Sequence, residues 1–295
     1  MPHIEVNGVR LYYESEGEGA PLVLVHEFAG DAGSWEDQVR FFARRYRVIT
    51  YNARGYPPSE VPEEESAYGQ DIATDDLAGL IRALGLPPAH VVGLSMGGYA
   101  TLHLGLRHPE LARSLVVAGC GYGSATSDER EAFQRDAHEV ARRFEEEGME
   151  TFGRVYTAGA TRLQLRRKDP IGYARFVEAF VRHSAKGSAL TMRGLQSRRP
   201  SVYDLEEELL RMEVPALILT GDEDEPCLEP ALFLKRTLPQ AGLFTFPNSG
   251  HLINLEEPGL FNSTVLEFIT LVDAGRWPRR GPRKGGGSGI LEEES

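Results

Sequence analysis

The sequence predicts an α/β protein, with a mostly parallel central sheet, helices on both of its faces and an inserted helical cap. Three observations carry this expectation. Short apolar runs alternate with amphipathic helical stretches through the first part of the chain. Each run is apolar at nearly every position, as in strands covered on both faces. From about residue 123 to 200 the alternation stops and only helical patterns remain. A compact domain does not carry so long a stretch without secondary structure, so it reads as a helical insertion.

The elements follow in order. "IEVNGVRLYYE" is two alternating runs around Asn7-Gly8, a dipeptide suited to the positive φ angles of a tight hairpin. "LVLVH" (22–26) leads to a helix over 34–45. "RVITY" (47–51) leads to one over 71–85, with Ala73, Leu77, Leu80, Ile81 and Leu84 on one face. "HVVGL" (90–94) precedes a helix over 96–108, and "SLVVAG" (114–119) follows. In the insertion, Thr126 and Glu129 form a capping-box pattern and Gly148 is a helix stop. Asp169-Pro170 places an N-cap before a proline at the first helical position. "PALILTG" (215–221) and "GLFTFP" (242–247) resume the sheet, and a last helix spans about 256 to 274. The chain thus divides into a core (1–123 and 201–275), a helical cap (124–200) and a C-terminal tail (276–295) expected to be flexible.

A length of 295 residues suits one core with an insertion better than two full domains. The net charge of -12 argues against a surface built for polyanions, so no nucleic-acid partner is expected. The basic run at 276–284 sits in the Gly- and Pro-rich tail and reads as solvated. No signal peptide is visible at the start and no apolar run approaches a membrane span, so a soluble, cytoplasmic protein is the default. Cys120 and Cys227 match no metal or redox spacing, and a core of this size needs no disulfide. The acidic runs at 63–65, 145–147 and 206–208 are contiguous, so their side chains diverge and read as solvated surface. "GCGYGS" fails as a phosphate loop because Ser124 takes the place of its last glycine. No metal and no cofactor are expected.

The chemistry centres on "VVGLSMGGYA". Gly93-Leu94-Ser95-Met96-Gly97 is G-x-S-x-G between a strand and a helix. The serine must sit on a tight turn with no room for side chains beside it, and the following helix aims its first N–H groups at any anion formed there. A serine nucleophile needs a base, and the base an orienting carboxylate. His251 follows the last strand, and Asp222, Glu223 and Asp224 follow the one before it. His103 and His108 lie five apart on the helix after Ser95, on different faces, and read as packing or surface residues.

These motifs resemble those of the α/β-hydrolase-fold serine hydrolases, over about residues 3 to 274. The insertion resembles the helical cap of esterases, enol-lactonases and C–C bond hydrolases of that fold. The resemblance implies Asp224 as the triad acid, from Gly221-Asp222-Glu223-Asp224, with Asp222 as runner-up, and His251 as the base, from Gly250-His251. It implies an oxyanion hole made by the backbone N–H groups of Met96 and Phe28. The activity implied is hydrolysis of a small or medium carboxylic ester through an acyl-enzyme. Close alternatives are enol-lactone hydrolysis, C–C bond hydrolysis and cofactor-free perhydrolysis; more distant ones are a hydroxynitrile lyase and a slow-turnover ligand receptor. The partners implied are a small-molecule ester and, at most, a second copy of the chain. Cap aromatics Phe133, Phe144, Tyr156, Tyr173, Phe176 and Phe180 either line an acyl pocket or pack the cap.

Two loops depart from the family pattern. His-Gly after the first parallel strand is here His26-Glu27, and D-x-R-G-x-G-x-S becomes Asn52-Ala53-Arg54-Gly55-Tyr56-Pro57-Pro58-Ser59. An acid has gone at Asn52, one has appeared at Glu27, and Arg54 remains. The expectation is that Glu27 turns away from the oxyanion hole and pairs with Arg54. The competing readings are a Glu27 that faces the pocket, selecting a polar or cationic substrate, and a solvent-facing loop residue.

Overall fold

The computed structural model describes residues 2–124 and 126–279. Among these, eight strands make one sheet: β1 (His3–Val6), β2 (Val9–Glu16), β3 (Ala20–Val25), β4 (Tyr46–Tyr51), β5 (Ala89–Leu94), β6 (Ala112–Ala118), β7 (Ala216–Gly221) and β8 (Ala241–Phe246). Their spatial order is β1-β2-β4-β3-β5-β6-β7-β8. The β1–β2 and β2–β4 pairs are antiparallel. Every pair from β4 to β8 is parallel. The hairpin turns at Asn7 and Gly8, with φ of 47° and 73°.

The strands are buried on both faces because they feed two cores. Leu22 and Leu24 belong to one apolar cluster, Val23 and Val25 to the other, as the two-residue period of a strand dictates. Each such side chain contributes about 2 kcal/mol when fully buried. Helices α1 (Glu36–Phe42), α2 (Gln70–Ala83) and α3 (Met96–Arg107) cover the first half of the sheet. On α2, Leu77, Leu80 and Ile81 are buried against the sheet. The first helical stretch differs from the expected 34–45: a 3-10 turn (Ala32–Trp35) precedes α1, which ends at Phe42.

Between β6 and β7 the chain leaves the sheet. It forms α4 (Ser127–Gly148), a π-helical turn (Met149–Gly153), α5 (Arg154–Thr157), a 3-10 turn (Ala160–Arg162), α6 (Leu163–Lys168), α7 (Pro170–Phe180) and α8 (Ala185–Leu190), which runs into a second π-helical turn (Thr191–Gln196). Thr126 Oγ1 caps α4 by accepting from the Glu129 N–H at 3.2 Å. The reciprocal bond of the expected capping box is not made. Gly148 ends α4 at φ 78°, but the chain re-enters helix at once. Asp169 caps α7 by accepting from the Gly172 N–H, with Pro170 in the first turn. Phe144, Phe152, Phe176 and Phe180 from these helices share one apolar cluster with Leu24 and Leu94 of the sheet. Cap and core are therefore packed as one body.

The chain returns through α9 (Glu206–Arg211), then α10 (Glu225–Thr237) between β7 and β8, α11 (Ile253–Glu256) and α12 (Pro258–Asp273). The last helix expected from about 256 to 274 is α12; the short α11 ends just before it, ahead of Pro258, whose ring cannot continue a helix begun upstream. The beginning of the expected tail is held: the Trp277 indole N–H donates to the Gln240 carbonyl at 2.8 Å and its ring meets Phe268. The rest of that tail, 280–295, lies outside the described residues. No helix among the described residues is long and apolar enough to cross a membrane.

Candidate active site

Three chain reversals at the carboxyl edge of the sheet build the site. The first follows β5. Ser95 has φ 56° and ψ -112°, a conformation that costs a non-glycine residue about 1–3 kcal/mol. The flanking glycines make it sterically attainable. A Cβ on Gly93 would lie 2.1 Å from the Gly97 carbonyl oxygen, and one on Gly97 would lie 2.1 Å from that of Val25. The Ser95 N–H donates to the Ala118 carbonyl at 2.8 Å, fixing the turn to β6.

The second and third reversals follow β7 and β8. His251 Nδ1 lies 2.7 Å from Asp224 Oδ2, with Asp224 3% and His251 5% exposed. Burial alone would raise the Asp224 carboxyl. The charge and hydrogen bond of His251 outweigh it, with help from Arg162, and hold the carboxyl below its ordinary value. The carboxylate is therefore the acceptor and Nδ1–H the donor. The runner-up acid, Asp222, is used otherwise: its Oδ1 accepts from the Ser249 N–H at 3.1 Å and shapes the histidine loop. Glu223 accepts from Gln164 of the cap. Gly119, at φ 53°, admits the imidazole, since a Cβ there would lie 3.2 Å from His251 Cε1.

Glu256 brackets the histidine. Its two oxygens accept from the Gly250 N–H at 2.6 Å and the Leu252 N–H at 3.0 Å. Burial raises its carboxyl, although both bonds oppose that. Sequence reasoning passed over Glu256, and its position five residues after the histidine was the available signal.

His26 organises the loop after β3. Its Nε2 accepts from the Ala53 N–H at 3.0 Å, so the ring proton is on Nδ1, which donates to the Glu27 carbonyl at 2.7 Å. Burial lowers the pKa of this ring and keeps it neutral. Because a trans peptide sets C=O and N–H in opposite directions, anchoring the Glu27 carbonyl turns the Phe28 N–H the other way. Met96 opens α3, and its N–H is among the first-turn donors that no intrahelical carbonyl reaches.

The expected Glu27–Arg54 pair does not form. Arg54 grips Asp76 of α2 with two bonds of 2.6 Å and donates to the Ala67 carbonyl at 2.7 Å. Glu27 Oε2 instead accepts from Arg162 of the cap at 2.9 Å, with both side chains 3% exposed. The solvent-facing reading of Glu27 fails on the same burial. Two partners thus meet across 135 positions of sequence, a separation at which no periodicity in the chain could pair them. Nor is Asn52 half of a charge exchange. Its Nδ2 donates to the Pro57 carbonyl at 2.7 Å and its Oδ1 accepts from the Ala32 N–H at 2.9 Å. An ionised aspartate could only accept.

The cap aromatics divide. Phe28 packs against Phe144, Tyr156 and Phe180 at centroid distances of 5.6–6.2 Å, and Phe176 lies 5.6 Å from the Arg162 guanidinium. Phe133 meets Tyr122 in a tilted ring contact at 5.0 Å instead, and the Tyr173 hydroxyl donates to the Thr157 carbonyl within the cap. His103 is buried on α3, and His108 faces Asp75 at 3.0 Å, both away from the site residues.

A doubly wound sheet with a strained serine turn after β5, and an Asp-His pair on the loops after β7 and β8, is an α/β-hydrolase arrangement. The chain belongs to the alpha/beta hydrolase fold family, whose model matches residues 20–258. It is 27% identical to a putative 2-succinyl-6-hydroxy-2,4-cyclohexadiene-1-carboxylate synthase of Bacillus subtilis (strain 168), over 90% of this chain and 97% of that one. Among solved structures it resembles a thermophilic esterase from Thermogutta terrifontis, with a TM-score of 0.81, 25% identity, and coverage of 92% of this chain and 99% of that chain. It also resembles the enol-lactonase from Burkholderia xenovorans LB400, with a TM-score of 0.78, 26% identity, and coverage of 91% and 100%.

Proposed function

We propose that this hydrolase cleaves carboxylic esters of small or medium acyl groups, with Ser95 as nucleophile, His251 as base and Asp224 as orienting acid. The observation that carries the reading is the 2.7 Å His251–Asp224 bond, at the sheet edge where Ser95 occupies its strained turn. In this mechanism His251 Nε2 takes the Ser95 proton as Oγ attacks the ester carbonyl. The N–H groups of Met96 and Phe28 hold the oxyanion, each contributing roughly 3–4 kcal/mol to lowering the barrier. The alcohol leaves with the proton from His251, and a water activated by the same imidazole then hydrolyses the acyl-enzyme. Glu27, neutralised by Arg162, adds no net charge against the oxyanion.

A second reading, enol-lactone hydrolysis, is favoured by the similarity to the Burkholderia enol-lactonase and uses the same steps. Fluorophosphonate labelling of wild type and Ser95→Ala, followed by a p-nitrophenyl ester series and an enol-lactone, tests both. Labelling at Ser95 with fast ester turnover supports the esterase, and preference for the lactone supports the second reading. Labelling without turnover points to a receptor, cyanohydrin cleavage alone to a lyase, and an unlabelled Ser95 overturns the nucleophile assignment.

A further inference from the structure

The acid end of the site holds a group that ester cleavage does not use. Cys227, in the first turn of α10, is completely buried. Its sulfur lies within 4.8 Å of the Asp224 carboxylate, and its backbone N–H donates to the Asp224 carbonyl at 2.8 Å. Asp224 is the N-cap of α10, yet its carboxylate binds no helix N–H and is turned to His251. A carboxylate oxygen of Asp224, a ring nitrogen of His251 and the Cys227 sulfur consequently lie within 4.8 Å of one another.

We propose that Asp224, Cys227 and His251 form a binding site for a thiophilic divalent cation, zinc or cadmium, whose occupation switches off Ser95. The second half of this statement rests on the serine-hydrolase reading above; the first does not. One oxygen, one imidazole nitrogen and one thiolate are all ligands that zinc accepts. Metal–ligand bonds of about 2.0–2.3 Å put tetrahedral donors roughly 3.3–3.8 Å apart. Small side-chain rotations bring the sulfur in and open the 2.7 Å His251–Asp224 contact enough to admit an ion. Thiolate and carboxylate together neutralise its charge. The two cations that act on these groups, Arg162 and Arg199, are engaged elsewhere, with Glu27 and with the Tyr122 carbonyl.

The inhibition follows from the imidazole tautomer. Without metal, the His251 proton is on Nδ1, donated to Asp224, and Nε2 is the acceptor that Ser95 needs. A cation on Nδ1 takes that lone pair. The Cys227 thiol gives one proton to solvent, and the imidazole proton moves from Nδ1 to Nε2. The ring stays neutral but presents an N–H toward Ser95, so it can no longer accept the serine proton.

The test titrates zinc and cadmium into wild type, Ser95→Ala, Cys227→Ala and Cys227→Ser. It follows ester turnover in wild type and the two cysteine variants, each relative to its own metal-free rate, and the ultraviolet cadmium–thiolate absorption in all four. Wild type should lose turnover reversibly to a chelator, and both cysteine variants should need at least about tenfold more metal. The absorption should appear in wild type and Ser95→Ala and be absent from both cysteine variants. Equal inhibition of the cysteine variants, or no cadmium–thiolate absorption in wild type, overturns the proposal. If wild type shows the absorption but turns over no ester, the serine-hydrolase reading falls while the metal site stands.

Discussion

Ser95 and its neighbours show how single atoms set the options of this site. With Gly97 pressed against the Val25 carbonyl, Gly97→Ala must displace either β3 or the serine turn. We expect it to abolish fluorophosphonate labelling even in the fraction of protein that folds, as mass spectrometry of the labelled protein would show. Ser95→Ala removes only the hydroxyl, and the ester rate should fall by roughly 10⁴-fold or more with little change in the urea midpoint. Asn52→Asp tests the amide that ties two loops together. The variant loses the donor to the Pro57 carbonyl and should unfold about 1–3 kcal/mol more easily, as measured by urea denaturation. An unchanged midpoint would show that the amide is dispensable. The G-x-S-x-G turn was legible in the sequence because its steric demands are local. The work of Asn52 was not, since its partners come from the backbone of two separate loops.

At the scale of elements, the buried ion pair Glu27–Arg162 ties the cap to the loop after β3. Removing one partner leaves the other charge buried and alone, which typically costs about 3–5 kcal/mol. Glu27→Gln and Arg162→Met should each be strongly destabilising in chemical denaturation. The double variant should be far less so than the sum, because no charge is then stranded. Additive losses would show that the two side chains act separately. The cap was recognisable from its helical run and its N-caps, whose cues lie within a few residues of one another. Its docking residue was not, because Arg162 sits in a 3-10 turn whose sequence resembles any solvated basic stretch.

Across the whole molecule, several histidines are buried as neutral rings. Burial lowers His103 from 6.5 to about 4, and His26 and His90 shift in the same direction, also through burial. Such a ring takes up its proton in the unfolded chain near pH 6.5 but in the folded protein only near 4. The unfolded state therefore binds more protons in that window, and stability falls as the pH drops through it. His103 alone accounts for at most about 3 kcal/mol of this loss. The thermal midpoint of wild type should decline from pH 6.5 to 4, and His103→Gln should show a shallower decline. Equal slopes would assign the acid sensitivity to other groups.

The sequence by itself determined the parts that short-range physics governs. Strand and helix periods gave the α/β alternation, Asn7-Gly8 gave the hairpin, and glycines two residues either side of Ser95 gave the strained serine turn. The order of Ser95, Asp224 and His251 along the chain pointed to the loops that meet at the sheet edge. Tertiary structure alone decided which charges face one another: Glu27 with Arg162, Arg54 with Asp76. It also set Cys227 beside the Asp224–His251 pair, where no cysteine spacing could have announced it. Backbone and side-chain periods repeat over a few residues and are written locally. Buried charges choose partners by distance and desolvation in three dimensions, so their pairing exists only once the chain has folded.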